Sequence, residues 1–154
     1  MGRGAIDANR PVLHWYCLAM ATLPWECVVH GVPASLQSKG STRARWKAAV
    51  SAAATSQWPA GEVPLAVPVQ VTITYFFEGS ALDVDNMLKP IQDALIGIVL
   101  EDDKHVTDVR GAKRDLANAF IVKGMSRVMA DGFISNGPFV HIKIDLAPDH
   151  KELP

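Results

Sequence analysis

Two stretches of the chain alternate apolar and polar positions, a pattern typical of β-strands with one buried face. In VQVTITYFF, residues 69–77, every odd-numbered position is apolar, and a glutamine and two threonines lie between them. In FVHIKIDLA, residues 139–147, we expect the even positions Val140–Leu146 to point inward and the odd positions His141–Asp145 to point outward. Both stretches are therefore predicted to be strands.

Two further strands are predicted from composition and turn signals. WECVVHGVP, residues 25–33, is rich in β-forming residues and ends in Gly31 and Pro33, so it is predicted as the first strand. Another strand is predicted from His105 to Arg114. The chain is thus expected to form four strands.

The stretch TRARWKAAVSAAATSQW, residues 42–58, has apolar positions at helical spacing. Its predicted buried face consists of four positions that recur every three or four residues, Trp46, Ala49, Val50 and Ala53. Ser41 or Thr42 is available as the N-cap of this helix. Trp46 is therefore expected in the core, and not as a platform on which a base stacks.

A second helix is predicted from about Asn86 to Val99. The positions expected to face the core are Leu88, Ile91, Leu95, Ile98 and Val99. Pro90 lacks the N–H that a helix interior needs, so we expect it in the first turn, with Asp85 or Asn86 as the cap. The start of this helix is thus predicted to lie among acidic residues.

The order β-α-β-α-β-β predicts an α+β fold, a single domain in which helices pack on one mixed sheet. A chain of 154 residues is long enough for one such domain. The domain is predicted over residues 25–147, with an extension of unassigned structure before it, residues 1–24, and a tail after it, residues 148–154. Residues 115–138 contain several glycines and receive no predicted structure.

The composition is that of a globular protein, with 49% hydrophobic and 20% charged residues. Cys17 and Cys27 are too few for a disulfide framework or a zinc site, so both are expected to be small buried residues in a reducing cytoplasm. A short apolar run follows Arg10, as in a signal peptide, but His14 interrupts it. No segment approaches the length of about 20 apolar residues that spans a bilayer. A cytoplasmic location without membrane association is therefore predicted.

Charge is distributed unevenly along the chain, although the net charge is only −1. Between Cys27 and Gly61 there is no acidic residue, and the basic residues of this part include Lys39, Arg43, Arg45 and Lys47. A block of acids follows later, comprising Asp83, Asp85, Asp93, Glu101, Asp102, Asp103 and Asp108. A basic patch beside an acidic block suits a protein that holds a polyanion through metal ions, whereas a solvated basic helix face is the simpler alternative.

The acidic block begins in FFEGSALDVDNMLKP, residues 76–90, at the junction between a strand and a helix. Asp83 and Asp85 are two residues apart, so in extended backbone both carboxylates point the same way and can meet one hard cation such as Mg²⁺. Lys89 could offset their repulsion or stabilise the charge that develops on a scissile phosphate. The simpler alternative is an N-cap with a neighbouring surface acid.

A third metal ligand from Asp102 or Asp103 requires the chain to fold back. A helix of about 13 residues separates its ends by roughly 20 Å, so sequence spacing alone does not bring these acids to Asp83. Either another copy of the chain supplies them, or the helix is shorter or bent. For Asp102 and Asp103 alone, a solvated helix end is the simpler alternative.

At these residues the chain resembles a known family. DVDNMLKPIQDAL followed by GIVLEDDKHV is similar to the signature of the RusA-like Holliday junction resolvases, which are endodeoxyribonucleases often carried by phages. The family pattern is Asp-x-Asp-Asn-x-x-Lys, an aspartate four residues after the lysine, and then Asp-Asp. The chain has every element of it, and departs from it at His105, where the family usually has glutamine.

The resemblance implies a Mg²⁺-dependent nuclease, with Mn²⁺ as a possible substitute, that works as a homodimer on branched DNA such as four-way junctions. Asp83, Asp85 and Asp103 would be metal-binding carboxylates, Asp102 would support them, and Lys89 would be the essential basic residue. The process served would be recombination, repair or phage DNA processing. By this reading, the residues that contact DNA phosphates are Lys39, Arg43, Arg45 and Lys47.

Three alternatives remain open at this point. Asp83 could be the nucleophile of a phosphohydrolase, which would trap a covalent aspartyl-phosphate. The chain could instead be a non-catalytic protein that binds branched DNA. For Arg110, Lys113 and Arg114, an extension of the DNA-binding surface competes with a role in blunting an edge strand.

Overall fold

The computed structural model describes residues 22–151 and, before them, His14, Tyr16, Cys17 and Ala19. From Trp25 onward, four strands and three helices follow one another as β1 (Trp25–His30), α1 (Gly40–Gln57), β2 (Val69–Phe77), α2 (Val84–Leu95), β3 (Val106–Asp115), α3 (Arg127–Ile134) and β4 (Phe139–Leu146). A single 3-10 turn, Asp103–His105, precedes β3. The predicted α+β fold is confirmed, and α3 is an addition within the segment that received no prediction.

The strands form one mixed sheet in the order β1-β4-β2-β3. β4 is antiparallel to both β1 and β2, whereas β3 runs parallel to β2. In the middle of the sheet, Ile73 of β2 pairs with Ile142 of β4 on one side and with Gly111 of β3 on the other. β1 and β3 are the edges, so Arg110, Lys113 and Arg114 lie on an edge strand, which agrees with one of the two alternatives left open for them.

One face of the sheet carries the core, because the alternating apolar positions from Val69 to Tyr75 in β2 and from Val140 to Ile144 in β4 are buried there. Trp46 and Val50 of α1 and Ile91 and Leu95 of α2 belong to the same hydrophobic cluster. Trp46 is therefore a core residue, as predicted. The buried positions of α1 are Trp46, Val50 and Ala54. Ala49, predicted to be buried, is exposed because it lies to one side of the row that these buried residues form.

Both predicted helix starts were wrong by a few residues. α1 begins at Gly40 with Lys39 at the N-cap position, in place of Ser41 or Thr42. α2 begins at Val84 with Asp83 at the N-cap position, so Pro90 lies inside the helix and not in its first turn. The end of α2 was also wrong, because the helix stops at Leu95 and not at Val99.

The second face of the sheet is partly covered by α3, which packs on β1 and β4. Gly132 permits this contact, since an added Cβ would lie 2.4 Å from Cε2 of Phe139. His141, predicted to point outward, does lie on this face of β4 but is 3% exposed, because α3 covers this part of the sheet. Its Nε2 donates to Glu26 over 2.6 Å, and the same carboxylate accepts from Ser126, which also caps α3.

Three further expectations have different outcomes. Cys27 is buried as predicted, but Cys17 is exposed. In the described part of the chain, no helix is long and apolar enough to cross a membrane. The predicted extension, residues 1–24, lies mostly outside the described residues, although Ala19 is buried in the core cluster. The domain boundaries stay a prediction.

Candidate active site

The first turn of α2 rests directly on β3, and this contact sets the position of Asp83 and Asp85. A Cβ added to Gly111 would lie 2.3 Å from Cγ1 of Val84 and 3.1 Å from a terminal methyl carbon of Leu88. The absence of a side chain at Gly111 therefore lets the helix approach the strand closely. Asp83 and Asp85 flank Val84 and are exposed.

Pro90 inside α2 explains why the loop before α1 docks on this helix. A proline has no N–H, so the carbonyl of Asn86, four residues earlier, lacks its partner within the helix. The backbone N–H of Leu36 donates to that carbonyl over 3.0 Å. The loop thus satisfies the group that Pro90 leaves unpaired, and it brings the basic start of α1 beside the acidic start of α2.

The chain folds back immediately after α2. Gly97 has a φ of 81°, and its N–H donates to the carbonyl of Leu100 over 2.7 Å. Leu65 then holds the returning segment from both sides, since its N–H donates to Val99 and its carbonyl accepts from Glu101. The helix is shorter than predicted, and the return takes place within one chain.

The fold-back brings Asp103 to Lys89. The ammonium of Lys89 lies 2.8 Å from Oδ1 of Asp93 and 3.4 Å from Oδ2 of Asp103. Its pKa is raised, mainly by the hydrogen bond to Asp93, with a smaller contribution from Asp103, so the side chain is protonated at neutral pH. Lys89, Asp93 and Asp103 therefore form a charged cluster, here called the lysine–aspartate cluster.

The predicted metal ligands lie in two segments, the start of α2 and the 3-10 turn. Asp103 lies in the lysine–aspartate cluster and is exposed, whereas Asp83 and Asp85 stand at the start of α2. Asp102 caps the 3-10 turn, where the N–H of Lys104 donates to it and lowers its pKa. Among the described residues, no group of three or more His, Cys, Asp or Glu side chains is arranged to hold a metal ion.

The donor chemistry nevertheless fits a hard divalent cation. The carboxylates of Asp83, Asp85 and Asp103 offer only oxygen ligands, the type that Mg²⁺ prefers, and all three residues are exposed to solvent. The carboxylates of Asp93 and Asp103 already bind one positive charge, the ammonium of Lys89. The roles of Asp83, Asp85 and Asp103 as ligands stay a prediction.

A groove of about 190 Å³ adjoins the lysine–aspartate cluster. It is lined by Leu36, Arg43, Ala44, Lys47, Pro90 and Asp93. The guanidinium of Arg43 donates to the carbonyl of Leu36 over 3.2 Å and is thereby fixed at the groove. Of the four basic residues predicted to contact DNA, Arg43 and Lys47 line this groove, whereas Lys39 and Arg45 are exposed and do not.

Several residues that position the site gave no clear signal in the sequence. The ammonium of Lys113 donates to the carbonyl of Leu82 over 3.4 Å, so this lysine supports the loop before Asp83. Glu101 and His105 flank Asp102 and Asp103 in the sequence, and Nε2 of His105 lies 2.9 Å from Oε2 of Glu101. Leu65 and Gly111 act through contacts distant in sequence, and only Gly111, as a glycine within a predicted strand, carried a recognisable hint.

Comparison with known proteins agrees with this geometry. The family model of endodeoxyribonuclease RusA matches residues 37–123, which is more than half of the chain. The match extends from the loop before α1 through the lysine–aspartate cluster and β3, so it contains the acidic residues of the candidate site and both basic residues of the groove. No curated protein matched the chain. The chain belongs to the RusA family of endodeoxyribonucleases.

Proposed function

We propose that the protein is a Mg²⁺-dependent endonuclease that hydrolyses phosphodiester bonds in four-way DNA junctions. The observation that carries this proposal is the contact between Lys89 and Asp103, which brings the two segments of the motif together in one chain beside a basic groove. Family membership supports the nuclease activity. The metal, the branched substrate and the dimer are parts of the proposal.

Asp83, Asp85 and Asp103 would hold the metal ion, with Asp102 in support. A bound Mg²⁺, or Mn²⁺ in its place, would supply Lewis-acid stabilisation and an activated water for hydrolysis. The contribution of the chain itself would be exposed carboxylates from two segments, the start of α2 and the 3-10 turn.

Lys89 would stabilise the charge that develops on the scissile phosphate, because its ammonium stays protonated next to two carboxylates. Arg43 and Lys47 would bind a phosphate of the DNA backbone in the adjacent groove. Contacts of this kind supply affinity that decreases with salt, and they carry no sequence information. Lys39 and Arg45 would extend the basic surface beyond the groove.

A homodimer would suit the substrate, because a four-way junction presents two symmetric strands to two identical sites. The expected setting is cytoplasmic DNA recombination or repair, or the processing of phage DNA.

The test is a cleavage assay with the purified full chain on synthetic four-way junctions, flaps and linear duplex, each with Mg²⁺ or with EDTA. We expect cleavage of the junction in preference to duplex, and only with the metal. Junction binding without cleavage of any substrate would favour a binding protein. A covalent phosphate on Asp83 would instead favour a phosphohydrolase.

A further inference from the structure

We propose that Asp93 is a positioning residue, which retains the ammonium of Lys89 when a divalent cation takes Asp103. This inference rests on the proposed function, because it assigns Asp103 to the metal. It concerns an aspartate for which neither a ligand role nor a catalytic role is proposed above. It also explains where the ammonium of Lys89 is held once a metal ion occupies the carboxylate of Asp103.

The contacts of Lys89 are unequal. Its ammonium is closer to Asp93, at 2.8 Å, than to Asp103, at 3.4 Å. Lys89 and Asp93 are four residues apart on α2, so one turn of a single helix fixes their relation. Asp103 belongs to the separate 3-10 turn and its side chain is 62% exposed, so it is the partner that is free to change contacts.

A metal ion and an ammonium compete for Asp103, because two cations repel each other at short distance. When the ion binds Asp103, the ammonium of Lys89 loses that partner and needs another anion. The carboxylate of Asp93 already contacts this ammonium. Asp93 also lines the groove of Arg43 and Lys47. An ammonium that remains on Asp93 therefore stays beside the proposed phosphate path and is not lost to solvent.

Metal binding to the full chain without DNA tests this directly, by calorimetric titration with Mg²⁺ and separately with Mn²⁺. The variants are Asp93→Asn, Lys89→Gln, the double variant, and Asp93→Glu as the conservative control. The side chains of Lys89 and Asp93 are 49% and 45% exposed, so the substitutions leave the core intact. Thermal unfolding of each variant checks that it is folded.

Asp93→Asn should weaken metal binding, because Lys89 then pairs with Asp103 alone. Lys89→Gln should tighten metal binding, since it removes the competing ammonium. Each change should be about two- to fivefold, as for exposed ion pairs. In the Lys89→Gln background Asp93→Asn should have little effect, and Asp93→Glu should bind metal as the unsubstituted chain does.

An equal loss of affinity from Asp93→Asn in both backgrounds would show that the carboxylate acts directly on the metal, and it would overturn the inference alone. Unchanged affinity in the Asp93→Asn variant would also overturn it. If the unsubstituted chain binds neither Mg²⁺ nor Mn²⁺, the proposed function itself fails.

Discussion

The ammonium of Lys89 lies 3.4 Å from Oδ2 of Asp103, although 14 residues separate them along the chain. A straight continuation of α2 would carry Asp103 away from Lys89. The turn at Gly97 and the hydrogen bonds of Leu65 reverse the chain and return Asp103 to the middle of the helix. The site therefore depends on a turn that contains none of the proposed ligands.

The turn can be tested with Gly97→Ala, with Gly61→Ala as a matched control. Both glycines have positive φ angles, 81° and 84°, and an added Cβ would meet nothing within 4 Å at either position. Each substitution should cost about 1 kcal/mol of unfolding free energy through backbone strain alone, measured by chemical denaturation. Only Gly97→Ala should also reduce junction cleavage. Equal cleavage by the two variants would mean that the turn does not control the site.

The close approach of α2 to β3 predicts that Gly111→Ala is destabilising. The new Cβ would overlap Cγ1 of Val84, and overpacking of this kind costs about 1–3 kcal/mol. Adding Val84→Ala removes the overlapping carbon, so the double variant should be more stable than the sum of the two single effects. Denaturation of the four proteins measures this coupling. Simple additivity would show that the overlap is relieved elsewhere.

The groove predicts a difference between basic residues on the same helix. Arg43→Gln and Lys47→Gln should each weaken junction binding in EDTA, because each removes one phosphate contact. The slope of log affinity against log salt concentration should become shallower by about one for each variant. Arg45→Gln removes the same charge from α1 outside the groove and should have a smaller effect. Titrations over a range of salt concentrations measure both quantities. Equal losses for all three variants would indicate an extended basic surface without a special groove.

The buried pair of Glu26 and His141 predicts a loss of stability in acid. Burial lowers the pKa of His141 below its usual 6.5, although Glu26 partly opposes this. Below that pH the unfolded chain binds a proton that the folded chain does not, so the folded state loses stability. For Glu26, burial raises the pKa, but the hydrogen bonds from Ser126 and His141 outweigh burial and lower it below 4.5. Its contribution is therefore present above 4.5 and is lost as the pH falls through the folded pKa.

Thermal unfolding between about pH 7.5 and about pH 5.5 separates the histidine from the glutamate. The melting temperature should fall across this range, and His141→Gln should reduce the fall because glutamine does not titrate. His150→Gln is the control, since this histidine is 52% exposed. If His141→Gln leaves the slope unchanged, the pair does not contribute to acid sensitivity.

β2 and β4 were predictable because apolar and polar side chains alternate along them with a period of two. The bounds predicted for β2, residues 69–77, are those observed, since its alternating residues face a continuous core. α3 escaped prediction because it is only eight residues long and contains Gly132. Its glycine is required by contact with Phe139, which sequence periodicity does not reveal.

The motif of the proposed site was evident in the sequence, but the contacts that bring its two segments together were not. Ile98 and Val99 continue the apolar spacing of α2, so periodicity extended the helix beyond Gly97, although a glycine there is a common signal of a helix end. Pro90 was misplaced for a related reason, because its tolerance depends on Leu36, more than 50 residues earlier. Contacts with two distant segments, at Leu36 and at Leu65, decide these outcomes, and the apolar spacing of the helix does not reveal them.

Asp83 and Asp103, which are distant in sequence, are proposed to serve one metal-dependent reaction. The most direct test is the single-turnover rate of four-way junction cleavage by Asp83→Asn and Asp103→Asn, with junction binding measured in EDTA. Asp145→Asn, on β4 and paired with Lys143, is the control for loss of one acid. We predict a fall of about a hundredfold or more for the first two variants with junction binding retained, and a normal rate for the control. Normal cleavage by Asp103→Asn would show that this carboxylate takes no part in the reaction.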